Sequence, residues 1–283
     1  WSRDGSRIAF VRGRAPRPDE IWTMRPDGSD ARAITSGCVR PCFTDAAPAW
    51  SPDGKRIAFE RAYGPILRHV EIACPGCYVE FPSRIDLLTV PAGGGALTVV
   101  RRWRSDPKPG IGAPSWAPDG RRIVVPLLTF KQPNKHASLG TALFVLHADG
   151  SGARRITPWD IGAANPDWSP DGSRIVFNSL GGHSANIGVV HPDGSGLAEV
   201  YAANEGRAGA VFLGQGIDPA WSPDGRQIVF ESETNPCSSG SDACDRAIPQ
   251  FDLYAMNPDG SDLRRLTSAP QYEAGPAWGP TSP

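Results

Sequence analysis

The sequence contains no apolar run approaching the roughly 18 to 20 residues that a membrane-spanning helix requires. It has no basic-then-apolar leader and begins at Trp1 instead of methionine, so any export signal is expected to have been removed or never included. It also lacks an excess of basic charge. With 29 basic and 30 acidic residues the formal charge is -1, and the basic face that grips a polyanion is missing. Nucleic acid is therefore not an expected partner, no membrane span is expected, and the chain is expected to be a monomer. Histidine is scarce: His69, His136, His147, His183 and His191 are scattered through the middle of the chain. No Gly-x-Ser-x-Gly elbow occurs, and Gly182-His183-Ser184-Ala185-Asn186 only brushes that pattern, in a loop. The enzyme readings that these residues support are thin.

What is abundant is turn-forming residues. Glycine (32) and proline (29) together exceed a fifth of the 283 residues, while 40% of the chain is hydrophobic and nine tryptophans need burial. Self-similarity decides how such a chain is organised. Trp1-Ser-Arg-Asp-Gly5 recurs as Trp50-Ser-Pro-Asp-Gly54, Trp116-Ala-Pro-Asp-Gly120, Trp168-Ser-Pro-Asp-Gly172 and Trp221-Ser-Pro-Asp-Gly225, with Trp278-Gly-Pro280 last. The spacings are 49, 66, 52, 53 and 57 residues. Each turn is followed by an alternating strand such as Arg56-Ile57-Ala58-Phe59 or Arg174-Ile175-Val176-Phe177, whose period of two puts Ile and Phe on one face. A second strand then ends in another tight turn, Pro26-Asp27-Gly28, Ala148-Asp149-Gly150, Pro192-Asp193-Gly194 or Pro258-Asp259-Gly260. The second repeat has Pro91-Ala-Gly-Gly-Gly95 there and loses the aspartate. Proline presets φ, aspartate suits the next position, and glycine takes the positive φ that folds the chain back.

A third strand, such as Arg154-Arg155-Ile156-Thr157 or Arg264-Arg265-Leu266-Thr267, closes each unit, its arginines protecting an edge. Each unit therefore holds four strands, the innermost ending in Pro-x-Trp. One such sheet cannot bury both faces, but a ring of them can. The inner-strand tryptophans Trp50, Trp116, Trp168, Trp221 and Trp278 are read as structural, each burying roughly 150 to 250 Å², worth about 4 to 6 kcal/mol at most. The expected fold is all-β, a propeller of four-stranded antiparallel blades in a single domain. Its repeats fall at approximately 1–49, 50–115, 116–167, 168–220 and 221–277, with a closing strand at 272–278.

The motif Pro-x-Trp-Ser-Pro-Asp-Gly-x-x-Ile-x-Phe, followed by a strand and Asn-Pro-Asp-Gly-Ser, resembles the TolB-type propeller repeat, a relative of the WD repeat. The resemblance implies ring closure by a C-terminal inner strand that joins N-terminal outer strands. Six tryptophan turns stand against five sets of outer strands, so the parent is expected to have six blades, with most of one missing here. TolB-like propellers also occur as the non-catalytic domain of certain serine peptidases, but no hydrolase sequence follows in these residues.

Pro-Asp-Gly turns all fall on one rim, and the longer connections on the other. That second rim carries all six cysteines and the insertions Ala62 to Ser83, Leu127 to Gly140, Ala202 to Ile217 and Ser232 to Gln250. Cysteines fall as close pairs, Cys38 with Cys42, Cys74 with Cys77 and Cys237 with Cys244, which suggests local disulfides and an extracytoplasmic location. A zinc site drawing on His69, Cys74 and Cys77 is the alternative, and a redox role for Cys74-Pro-Gly-Cys77 is weaker because the pair reads as part of a long loop. Residues ahead of the inner-strand prolines, Asp45, Asn165, Asp218 and Glu273, would project toward a common axis. Converging oxygens could hold a calcium-like cation or a polar ligand, or simply cap loop backbone; no other cofactor is expected. The leading expectation is a non-catalytic exported scaffold, not an enzyme, binding a protein or peptide through the loop-rich rim. The alternatives are a metal-dependent, lyase-like polysaccharide-active enzyme with its site at the central channel, and an extracytoplasmic sensor domain. Arg, Ala, Gly and Pro richness hints at a GC-rich bacterial genome.

Overall fold

The computed structural model describes residues 1–14, 17–36, 38–71, 78–103, 108–109, 113–131, 138–179, 186–202, 218–233, 251–268 and 276–278. Among these, every regular element is a β-strand, and no helix is long and apolar enough to cross a membrane.

The first blade is β1 (Ile8–Arg14), β2 (Arg17–Met24) and β3 (Arg32–Ala33). A four-stranded blade follows: β4 (Cys42–Trp50), β5 (Arg56–Glu71), β6 (Tyr78–Pro91) and β7 (Thr98–Trp103). The third contains β8 (Lys108–Pro109), β9 (Ser115–Trp116), β10 (Arg122–Lys131), β11 (Ser138–His147) and β12 (Arg154–Arg155). The fourth runs β13 (Ala163–Trp168), β14 (Ile175–Ser179), β15 (Asn186–Val190), β16 (Ala198–Ala202). The fifth runs β17 (Ala220–Trp221), β18 (Ile228–Glu233), β19 (Phe251–Met256), β20 (Arg264–Arg265). Pairing within each blade is antiparallel and sequential, and a single parallel bridge, Asp19 to Thr44, links the first blade's β2 to β4.

Alternation along the second strand of each blade builds the core between blades. Ile57 and Phe59 face the first blade, packing with Ile21 and Ile34, while Ala58 faces the third, packing with Ile123 and Val125. Ile175 and Phe177 face the third blade, and Val176 faces Ile228 and Phe230 of the fifth. The inner tryptophans Trp116, Trp168 and Trp221 are buried in these seams, whereas Trp50 and Trp278 are half-buried and Trp1 is 42% exposed.

Two turn families fasten neighbouring blades. In the turns after β9, β13 and β17, the glycine packs on the preceding blade's proline: Gly120 on Pro52, Gly172 on Pro118 and Gly225 on Pro170, with Cβ positions 3.2 to 3.7 Å from the ring. In the other turn, the glycine lies under a carbonyl of the preceding blade's outermost strand or the residue that follows it: Gly94 at Ile34, Gly150 at Val100, Gly194 at Ile156 and Gly260 at Val200. All four glycines have positive φ. A methyl on Gly150 or Gly260 would overlap that carbonyl oxygen.

The insertion Ala62 to Ser83, expected as a loop, contains a continuation of the β5–β6 hairpin: the ladder runs on from Tyr63–Arg84 to Glu71–Tyr78, through two register shifts. β10 and β11 likewise stay paired out to Lys131–Ser138. β-Branched and aromatic residues in these stretches suit strands, and pairing satisfies backbone that a loop would leave open. Beyond Ile66 the first of these extensions is a two-stranded ribbon, since β4 leaves β5 at Tyr63 and β7 leaves β6 at Ile85.

Candidate functional site

The Pro-Asp-Gly rim spends its polar groups on itself. In the turn after β4, Ser51 donates its hydroxyl to Asp53 (2.6 Å) and accepts from the Arg56 amide (2.9 Å), while Asp53 accepts the Lys55 amide (3.1 Å). Ser2–Asp4, Ser169–Asp171 and Ser222–Asp224 repeat the hydroxyl-to-carboxylate bond at the same distance, and the four serines are buried. These hydrogen bonds, from the serine hydroxyl first, hold the four turn carboxyls below the usual carboxylate range. A cleft of about 530 Å³ on this rim is lined by Arg122, Arg154, Ser173 and His191, but His191 Nδ1 is already engaged with the Ser173 carbonyl at 2.8 Å. His147 and His191 both sit next to turns here, as expected.

The opposite rim, where the inner strands begin, is chemically different. Each inner strand approaches its proline through one extra residue in β4 and in β13: the register slips between Ala46 and Ala49, and again between Ala164 and Asp167. Such a bulge re-aims the side chain at its apex. The apex residues Ala47 and Asn165 have φ of 55° and 45°. Asp218 holds the same place ahead of Pro219, and the Asn165 amide donates to its carboxylate across two blades. Asp218 is half-buried, and desolvation raises its carboxyl from the ordinary value.

Asp45 does not join this pair. It lies three residues before Pro48, fully buried, and receives both Nε (2.6 Å) and Nη2 (2.8 Å) of Arg61 from the neighbouring strand. The fork holds the Arg61 guanidinium firmly protonated, its pKa raised chiefly by the bond to Asp45. Of the four residues expected at the channel mouth, Asn165 and Asp218 are brought together among the described residues. Glu273 lies outside the described residues, as do Cys74, Cys77, Cys237 and Cys244. Cys38 and Cys42 are joined by a disulfide at the base of β4. Their sulfurs lie close to Asp45, but with both thiols oxidised and the carboxylate held by Arg61 this trio does not offer a metal a ligand set.

Three polar groups here have no counterpart in the sequence reading. Asp167, between the proline and tryptophan of β13, accepts the Trp221 amide of the next blade (2.8 Å) and the Ser115 hydroxyl of the preceding one (3.2 Å). Ser115 in turn accepts the Trp168 amide (3.1 Å), so three inner strands are tied in sequence around the hub. Burial raises the Asp167 carboxyl to about 6 against the pull of those bonds. The slot holds alanine in Ala49, Ala220 and Ala277, and a polar residue there was the available signal. Glu60 pairs with Ala46 and Asn178 with Ala164, each directly opposite a bulge. Both are buried; Glu60 Oε1 and both amide atoms of Asn178 lack a hydrogen-bond partner, and desolvation raises the Glu60 carboxyl to about 8. At neutral pH Glu60 is therefore protonated.

No family model matches the chain. TolB of Acinetobacter baumannii is similar in structure over 97% of this chain and 55% of its own, with a TM-score of 0.60 and 20% identity. The chain has the TolB-type propeller fold. In sequence the propeller is similar to two proteins named as peptidases. The uncharacterized peptidase YuxL of Bacillus subtilis is 23% identical over 252 residues, 80% of this chain and 34% of its own length. Dipeptidyl-peptidase 5 of Porphyromonas endodontalis is 29% identical over 124 residues, 44% of this chain and 16% of its own. The propeller thus spans about a third and about a sixth of these relatives. They overturn the expectation of a non-catalytic scaffold that is not an enzyme. The thin enzymatic signal of the repeats described the repeats alone, and a fold of this kind does not fix the chemistry of the protein that carries it.

Proposed function

We propose that this chain is the propeller portion of a peptidase-type hydrolase, and that peptides are its substrate class. The similarity to YuxL over 80% of the chain carries this reading. The geometry of the hub supports it. Asp218 is a partly desolvated carboxyl bonded to the neutral Asn165 amide. A peptide α-ammonium arriving there would form a charge-assisted hydrogen bond and restore the ionised carboxylate. By contrast, the turn serines on the other rim are committed to their aspartates and offer no nucleophile. The Cys38–Cys42 disulfide supports an extracytoplasmic location.

The test is hydrolysis of chromogenic peptides by the protein that carries this propeller, comparing substrates with free and acylated amino termini. Asp218→Asn is expected to raise KM for free-amine peptides about tenfold, the loss of one charge-assisted hydrogen bond, with kcat and the acylated substrates unchanged. No hydrolysis of any peptide would refute the peptidase reading. An equal KM for both substrate types would refute the role of Asp218 alone.

A further inference from the structure

The inner tryptophans are fastened across the seams in two ways. Trp116 donates its indole N–H to the carbonyl of Ala49 (3.3 Å), and Trp278 donates its own to Ala220 (3.1 Å). Each acceptor is the residue before the tryptophan of the preceding blade. In the two seams between these, the indole nitrogens of Trp168 and Trp221 are buried without a hydrogen-bond partner. The backbone is held there instead: the Trp168 amide donates to the Ser115 hydroxyl (3.1 Å) and the Trp221 amide to the Asp167 carboxylate (2.8 Å). Ser115 and Asp167 occupy the slot that is alanine at Ala49, Ala220 and Ala277, and an alanine side chain has no acceptor to offer. A polar residue in this slot thus changes which group of the next tryptophan is fastened.

The second of these bonds stands beside the candidate site. Asn165 and Asp167 flank Pro166 in β13, and they reach Asp218 and Trp221, three residues apart at the start of the fifth blade. That stretch has few backbone ties of its own. Among the described residues its ladder consists of Ala220 with Val229 and Trp221 with Ile228, and Pro219 has no amide to add. β13, by contrast, is paired with β14 on both sides of its bulge. The Ser115 hydroxyl donates to the other oxygen of Asp167 (3.2 Å), which fixes the direction in which the carboxylate points. Desolvation raises this carboxyl to about 6, so at neutral pH it is ionised and its bond to the Trp221 amide is charge-assisted.

We propose that Asp167 is a positioning residue of the hub site: by holding the Trp221 amide it sets the start of the fifth blade where Asp218 meets Asn165 and can receive a peptide α-ammonium. Without that carboxylate the seam is free to take the form found at Ala49 and Ala220, in which the indole N–H turns to the carbonyl ahead of the preceding tryptophan. The inner strand shifts to make that bond, and Asp218 shifts with it, out of reach of the Asn165 amide and further into solvent. The role in substrate capture rests on the peptidase reading; the coupling of Asp167 to Asp218 does not.

The experiment has two arms. Without substrate, the titration of Asp218 is followed by carboxyl NMR of labelled aspartate, the signal being assigned by its loss in Asp218→Asn. Its midpoint, raised in the parent, is expected to fall toward the ordinary value in Asp167→Ala. It is expected to stay raised in Asp167→Ser, whose hydroxyl can accept the Trp221 amide as Ser115 accepts that of Trp168. Ser115→Ala, which removes the hydroxyl that aims the carboxylate, serves where Asp167→Ala does not fold, with a smaller fall of the same sign expected. In hydrolysis of free-amine peptides, Asp167→Ala is expected to raise KM about tenfold, with kcat and acylated substrates unchanged, and Asp167→Ser to bring it back within about twofold of the parent. The double variant of Asp167→Ala with Asp218→Asn is expected to be no weaker than Asp218→Asn alone. An Asp218 midpoint that these substitutions leave unmoved would overturn the proposal. So would KM effects that multiply in the double variant, or a loss shared equally by acylated substrates. Hydrolysis of no peptide, with the midpoint moving as expected, would refute the peptidase reading and support the coupling.

Discussion

A glycine's worth in this protein depends on what stands opposite it. Gly150 and Gly28 occupy the same turn position with φ of 85° and 81°, but only Gly150 faces a carbonyl that a methyl would overlap. Gly150→Ala should therefore cost about 3 kcal/mol or more in urea unfolding, and Gly28→Ala only the left-handed strain of about 1 kcal/mol. A similar contrast governs Ala117, which stands where the other four turns have a serine. Asp119 there still accepts the Arg121 amide (2.8 Å) but receives no hydroxyl from Ala117. Ala117→Ser is expected to stabilise the protein by up to about 1 kcal/mol, again by denaturant midpoint. Glu60 gives the residue scale its pH dependence. Its carboxyl rises from 4.5 when unfolded to about 8 when folded, so the folded state binds the extra proton and stability falls as pH climbs across that window. Glu60→Gln should flatten the stability profile between those two values and leave the protein more stable than the parent at pH above about 8.

At the scale of the element, turns and core strands were legible in the sequence, while joints between blades were not. Ser-Pro-Asp-Gly and the Ile-x-Phe alternation report local φ and a two-residue period, and the strands fall where those signals place them. The hub bonds needed more than a period. Asp45 and Asp218 look alike as acids ahead of a proline, yet Asp45 lies three residues before its proline, in the regular ladder ahead of the bulge, as a buried partner of Arg61, whereas Asp218 directly precedes its proline and meets Asn165. Asp167, Glu60 and Asn178 carry no signal of their surroundings in the repeat, because each occupies a position whose neighbours in adjoining strands and blades are known only once the sheets are assembled. The extended hairpins were missed for a different reason: proline and glycine at positions 64, 65 and 82 read as loop, and the ladder absorbs them through register shifts.

For the whole molecule, two sets of carboxyls pull the pH profile in opposite directions. Turn aspartates such as Asp27, Asp149, Asp193 and Asp259 are held below the ordinary value, mainly by hydroxyl donors. Their contribution is complete above the unfolded carboxylate range and disappears as pH falls through the depressed folded values. Glu60 and Asp167, raised by burial, lose theirs as pH rises. Together the two sets make stability fall both as pH drops below the ordinary carboxylate range and as it climbs toward 8, which equilibrium unfolding across a pH series will show. The β5–β6 ribbon stands apart from this balance. Among the described residues its two strands pair only with each other beyond Ile66, and a lone pair of strands is barely stable in water. Fraying of this ribbon would break only its own ladder, so strand order there is lost without loss of pairing in the blade beneath.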